Sequence, residues 1–355
     1  MKDQTSSRFT HQSSRRKVAL GATALTAAFL LPHFAIAAAN PTGTTKIGDV
    51  TMNSVQFKNN TINMAGNIYS PKDFNKAGKY AAVVVVHPGG GVKEQAAGLY
   101  AQKLAQQGFV VLTFDASHQG ASGGMPRFLE NPTERVEDVR SAVDYLTTLA
   151  YVDPQRIGAL GICAGGGYAI KAATIEHRIK AVATVSAVDI GAATRKGWDG
   201  KGSEADQIAM LDEVAKQRTA EAAGAKPKYV TYVPVTPDST TPSDLREASD
   251  YYLTARGQHP GAPNKMLFTS LDKMLSFTAL DQVNSLLVQP SLMIAGSNAG
   301  SLWHSQEAYQ KAKGEKELFI VDGATHMTLY DGEKHVGQAL GKLTPFFKRN
   351  LSTAG

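Results

Sequence analysis

Residues 157–163 form an apolar run of strand length that ends on a small-residue turn and passes straight into an apparent helix. Gly161 and Gly165 stand two residues to either side of Cys163. That spacing constrains the chain more than any other stretch. On so sharp a strand-to-helix turn, side chains at the flanking positions would collide with the neighbouring backbone, and glycine also adopts angles that other residues avoid. Whatever side chain occupies the apex lies at a helix N-terminus, where the macrodipole and free N–H groups favour a thiolate over a thiol. Gly161-Ile162-Cys163-Ala164-Gly165 has the nucleophile-elbow spacing Gly-x-Ser-x-Gly, with cysteine replacing serine. The plainer reading is a buried small hydrophobe closing a core strand, the commoner fate of a free cysteine.

The rest of the chain is punctuated to suit such a turn. Residues 46–58 and 61–70 alternate apolar and polar side chains around Asn59-Asn60, which predicts an antiparallel hairpin at a sheet edge. The β-branched run Tyr80 to Val86 suits a strand buried on both faces, and it ends on His87-Pro88-Gly89-Gly90-Gly91. A helix over about 95–107, a strand over 109–114 ending at Asp115, and a long Gly/Ser-rich loop from Ala116 to Glu130 follow. Asn131, Pro132 and Glu134 resemble a capping box before the stripe Val136, Val139, Val143, Leu146 and Leu149. Strands are expected at 157–163, 181–186, 291–296 and 317–321, with a closing helix over about 333–349. The alternation implies an α/β fold with a mostly parallel central sheet flanked by helices. About 100 residues, 190–289, interrupt the rhythm with helical stretches and a proline-rich segment, and read as a largely helical cap inserted before the last two strands. At 355 residues and 43% hydrophobic content, the chain has material for one sizeable core.

The net charge of +6 is mostly local. Lys2, Arg8, Arg15, Arg16 and Lys17 against Asp3 place +4 of it in residues 1–37, leaving +2, too little to argue for nucleic acid or an anionic membrane. Residues 1–39 read as a cleaved export signal. Arg15-Arg16 is a twin-arginine pair, the apolar run Val18 to Leu31 is shorter than the roughly 20 residues of a membrane span, and Ala35-Ile36-Ala37 and Ala37-Ala38-Ala39 offer cleavage sites. This predicts a periplasmic protein, by the twin-arginine or the general route, with no membrane insertion once the signal is removed. The segments expected to follow are 40–189 and 290–355 as the core and 190–289 as the cap. Cys163 is the only cysteine, so no intrachain disulfide forms. A lone thiol in an oxidising compartment is a liability unless buried or used.

The order strand, elbow, helix, strand, insertion, two strands and a histidine loop is the α/β-hydrolase order. The chain resembles the dienelactone-hydrolase-like branch of that superfamily in Gly161-Ile162-Cys163-Ala164-Gly165-Gly166, His87-Pro88-Gly89-Gly90 and Asp322-Gly323-Ala324-Thr325-His326. The resemblance covers most of residues 46–350 apart from the cap. It implies Cys163 as nucleophile and His326 as base, taking the thiol proton to give a thiolate–imidazolium pair and later protonating the leaving group. The oxyanion hole would combine the N–H of Ala164 with one from the Gly89-Gly90 turn. The family's usual acid position reads Gly296-Ser297-Asn298-Ala299-Gly300 and holds no carboxylate. Asp189, past the preceding strand, is the first substitute and Asn298 the second; Asp115 and Asp322 read as structural. His87 is expected to shape its turn, while His118, Trp303 and His304 are candidate substrate contacts. Tyr251, Tyr252, Phe268, Phe277 and Trp303 would line an acyl pocket or form the cap's own core. No ligand spacing supports a metal site and no cofactor is implied.

The expected activity is hydrolysis of a small-molecule ester, thioester or lactone through a cysteine acyl-enzyme, with peptidase or acyltransferase variants of the same chemistry. The alternative is a binding protein that kept the fold and lost catalysis. The sequence is silent on oligomeric state.

Overall fold

The computed structural model describes residues 43–352. Its first strands are β1 (Thr44–Ile47), β2 (Val50–Asn59) and β3 (Ile62–Ser70), joined as antiparallel neighbours. The expected first strand from residue 46 is broken at Gly48, whose φ of 58° turns the chain so that β1 folds back on β2. Then come β4 (Tyr80–Val86), α1 (Ala96–Ala105), β5 (Val110–Phe114), α2 (Pro132–Thr147), β6 (Val152–Ile162), α3 (Ala164–Ile175) and β7 (Ile179–Val185). After residues 190–289 the chain resumes with β10 (Ser291–Gly296), α9 (Leu302–Lys311), β11 (Lys316–Val321), α10 (Thr328–Asp331) and α11 (Glu333–Asn350). The nine-stranded sheet runs β1-β2-β3-β5-β4-β6-β7-β10-β11, parallel from β5 to β11.

The two cores show why the strand sequences are continuously apolar. Along β4, Val83 and Val85 join one core with α1 and α11, while Ala82, Val84 and Val86 join the other with α2 and α3. A strand covered on both faces has no position left for a polar residue. The capping box expected at Asn131 is only partly made. The Asn131 amide approaches the Glu134 carboxylate at 3.5 Å but caps no backbone N–H, because Glu134 is drawn to His118.

Residues 190–289 form α4 (Ile190–Lys196), α5 (Glu204–Ala222), α6 (Ser243–Leu253), α7 (Leu271–Ser276) and α8 (Val283–Leu286). The structure adds what the pattern did not show, a two-residue ladder between β8 (Tyr229–Val230) and β9 (Met266–Leu267). Val233, Tyr251 and Tyr252 pack into the core shared by α1 and α11, so this segment is fastened to the sheet layer. Its tie to the histidine loop is polar as well. Arg256 makes a bidentate pair with Asp331 at 2.8 Å for each bond, and the Thr325 hydroxyl donates to Glu247 at 2.7 Å.

Candidate active site

Cys163 sits between β6 and α3 with φ 55° and ψ −125°, a conformation costing about 1–3 kcal/mol that surrounding structure must hold. The glycines show how tightly it is held. A Cβ on Gly161 would stand 2.1 Å from the Gly165 carbonyl oxygen, and one on Gly165 would stand 2.3 Å from that of Val86. Backbone bonds from Cys163 N to Val185 O (3.0 Å) and from Val188 N to Cys163 O (2.9 Å) fix the turn against β7. The residue as a whole is half-buried, while its thiol is largely withdrawn from water.

Backbone N–H groups of Ala164 and Gly89 both donate toward the sulfur. An acyl-transfer oxyanion requires two backbone donors. Gly90 has another task than the donor role open to it in the sequence. Its φ of 68° makes the turn, and a Cβ there would stand 2.5 Å from the Tyr232 ring, which closes over the turn from the cap. His87 shapes the turn as expected. Its Nδ1 donates to the Pro88 carbonyl at 2.6 Å, and its Nε2 accepts from Ala116 N at 3.1 Å.

Beneath the turn lies a buried polar cluster that the sequence reading missed. The Glu130 carboxylate, fully buried, accepts from the hydroxyls of Tyr168 (2.6 Å) and Tyr232 (2.7 Å). Arg135 pairs with Glu130 at 3.7 Å and donates to the His87 carbonyl at 2.9 Å. The cluster thus fixes the turn from below through His87 and from above through Tyr232.

His326 is buried after β11. Its Nδ1 lies 2.6 Å from Ser301 Oγ and its Nε2 lies 3.3 Å from the Tyr330 hydroxyl. An Nε2 free to accept a proton requires Nδ1–H to donate to Ser301, which selects the tautomer. Among the described residues, no carboxylate bonds to either ring nitrogen. Asp189 is occupied elsewhere: it caps α4, accepting from Gly191 N (3.0 Å) and Ala192 N (3.1 Å), and it also accepts from Ala279 N (3.0 Å). A helix start leaves N–H groups to be satisfied, and Asp189 followed by a small-residue helix is an N-cap signal. Asn298 is exposed and donates to the Gly323 carbonyl at 3.3 Å. Ser301 therefore stands where Asp189 or Asn298 was expected.

The other candidates are also reassigned. Asp115 is structural as read, binding Lys93 and the backbone N–H of Ala121. His118 bonds Glu134 of α2 at 2.8 Å and the Pro126 carbonyl of its own loop at 2.9 Å, so both nitrogens are spent within the protein rather than on a substrate. Burial opposes its protonation, but the bond and charge of Glu134, the Pro126 carbonyl and the Asp138 charge together outweigh burial and raise its pKa. Trp303 stacks on His304 with ring centres 3.5 Å apart and donates its indole N–H to the Trp198 carbonyl. His304 is buried, and burial with the nearby His326 and Lys196 pushes its pKa down to about 3. Trp198 meets the His326 ring edge-to-face at 5.1 Å. Tyr251 and Tyr252 pack edge-to-face on Tyr330, placing these cap aromatics over the histidine loop.

The resting site is neutral, unlike the thiolate–imidazolium pair expected. Burial raises the Cys163 pKa, and the Tyr330, Ala164 and Gly89 hydrogen bonds with the Arg135 charge recover only part of that. Burial alone takes His326 down to about 3. The helix-terminus effect loses here because the sulfur is removed from water and the imidazole has no counter-charge.

The sequence profile described as the dienelactone hydrolase family matches residues 64–188, which hold both the Gly89 turn and the elbow. The uncharacterized protein YcjY of Escherichia coli (strain K12) is 44% identical over 303 residues, covering 84% of this chain and 99% of that protein. The chain belongs to the dienelactone hydrolase family. It is a hydrolase-type enzyme with the α/β-hydrolase fold. The crystal structure of the hypothetical protein PA2218 from Pseudomonas aeruginosa is 34% identical, with a TM-score of 0.81 over 86% of this chain and 95% of that one. The α/β hydrolase GrgF from Penicillium sp. sh18, 22% identical, shares the fold with a TM-score of 0.70 over 85% of this chain and 99% of that one.

Proposed function

We propose that this hydrolase is an exported enzyme that opens an ester, thioester or lactone through a Cys163 acyl-enzyme. His326 is the base, the N–H groups of Gly89 and Ala164 hold the oxyanion, and Ser301 orients the imidazole. The observation that carries this reading is the pair of backbone donors aimed at a sulfur on a strained elbow. Export rests on the Arg15-Arg16 pair and the apolar run after it, which lie outside the described residues.

The mechanism follows from the site's neutrality. Attack transfers the thiol proton toward His326 while the carbonyl oxygen gains charge between the two N–H donors. Because no carboxylate among the described residues bonds His326, proton return to a poor leaving group is weakly driven. Acyl groups activated by a good leaving group, thiolate or phenolate, are the substrates this favours.

The test is a series of acetyl and butyryl esters and thioesters of graded leaving-group acidity, assayed on purified protein from acid to alkaline pH. Activated esters should outpace alkyl esters by roughly a hundredfold or more. Lowering the pH should leave kcat/KM unchanged through the ordinary histidine range near 6.5, because a base whose pKa is about 3 stays unprotonated there. A loss of activity centred near 6.5 would show that His326 is not the buried neutral base described.

A further inference from the structure

We propose that Tyr330 is a catalytic residue, relaying the proton between the Cys163 thiol and His326. The proposal rests on the reading of Cys163 as nucleophile and goes beyond it. The nearest polar partner of His326 Nε2 is the Tyr330 hydroxyl at 3.3 Å, and that same hydroxyl stands beside the Cys163 thiol, where it favours the thiolate. The phenol therefore stands between acid and base, where a directly paired dyad would have nothing.

Its placement is over-determined. Tyr330 is buried on α10, one helical turn after His326, and its N–H bonds the Met327 carbonyl at 2.8 Å. The Tyr251 and Tyr252 rings hold it edge-to-face, with centroids 5.3 and 6.4 Å away. The Tyr100 hydroxyl donates to the Leu329 carbonyl at 2.8 Å, and Arg256 clamps the next residue, Asp331. A side chain needed only to fill space does not need its hydroxyl, and this hydroxyl bonds His326 and acts on the acidity of the Cys163 thiol.

The step balances. Cys163 Sγ forms a bond to the acyl carbon as its S–H bond breaks and that proton passes to Tyr330 Oη. The phenolic proton passes at the same time to His326 Nε2, so the tyrosine is neutral before and after. The carbonyl π pair becomes the oxyanion held by Gly89 and Ala164. On collapse the bond to the leaving group breaks, and the leaving group takes its proton back from His326 through Tyr330.

The test combines a variant-free measurement with a cycle. In mixtures of light and heavy water, the acylation burst of the wild-type full chain with p-nitrophenyl acetate should give a bowed proton inventory, as two protons move together. A linear inventory overturns the relay. For iodoacetamide alkylation of Cys163 at neutral pH, Tyr330→Phe and His326→Ala should each slow the reaction about tenfold, as the thiolate loses its support. The double variant should be no slower than the slower single, as for links of one chain. Tyr330→Phe alkylating as fast as wild type, or effects that multiply, would overturn the proposal. Turnover of the ester by Cys163→Ala at the wild-type rate removes the nucleophile reading itself and the relay with it, a result that neither Tyr330→Phe nor the inventory produces.

Discussion

Cys163→Ser is expected to lower kcat/KM toward an activated ester by roughly 10²–10⁴-fold, although it changes a single atom. Serine preserves the elbow and both oxyanion donors. What it changes is the acidity of the nucleophile. A hydroxyl must surrender its proton during attack, and His326, held near a pKa of 3 with a serine rather than a carboxylate on Nδ1, is a poor acceptor. A thiol is several units more acidic and makes smaller demands on the base. Cys163→Ala should fall to the background set by the oxyanion donors alone. Steady-state kinetics on one p-nitrophenyl ester, with far-UV circular dichroism to confirm the fold, decides the matter. A serine variant close to wild type would mean that a carboxylate reaches His326 in solution.

Arg135→Ala is expected to destabilise the protein by about 3–5 kcal/mol, the cost of leaving a buried charge unpaired. The guanidinium is almost wholly buried, with Glu130 at 3.7 Å, the His87 carbonyl at 2.9 Å and the Tyr168 ring 4.8 Å from its centre. Without it the Glu130 carboxylate keeps its two tyrosine donors and loses its counter-charge, and the His87 carbonyl loses a donor beside the oxyanion turn. Adding Glu130→Gln should restore part of the loss, because it removes the charge that Arg135 neutralises. Urea unfolding midpoints of the two single variants and the double variant measure this. An unchanged midpoint for Arg135→Ala would show that the cluster adds nothing to stability. Activity should fall with Arg135→Ala even where the protein remains folded, since the Gly89 N–H is aimed by the turn that Arg135 anchors.

Local rules made the core legible. Strand alternation, the β-branched run of β4 and the glycine spacing at 161 and 165 are dictated by burial and backbone clash within a few residues, and the structure places them where those rules do. The break at Gly48 was harder, because a two-residue turn leaves the alternation on either side almost intact. The proposed site was legible only where it is local: the elbow that carries Cys163, the N–H that follows it and the His326 loop after the last strand. The partners of His326 were not, since Ser301 and Tyr330 carry no signature of their own. Ser301 reads as an ordinary helix start, and Tyr330 as one more aromatic. Asp189 misled for a related reason. A carboxylate at a strand end reads as an acid for the histidine, while the free N–H groups of the following helix supply a nearer partner. Glu130 and Arg135 meet across a glycine-rich loop and a helix, and only the closed structure shows that both are inside.

All of this presupposes that Cys163 becomes covalently acylated. Intact-mass spectrometry of the wild-type protein, quenched in acid during turnover of p-nitrophenyl butyrate, measures that directly. The mass should rise by one butyryl group on the peptide containing Cys163 and stay unchanged in Cys163→Ala. Steady turnover with no adduct at Cys163, or an adduct on another residue, would contradict the assignment of this thiol as nucleophile.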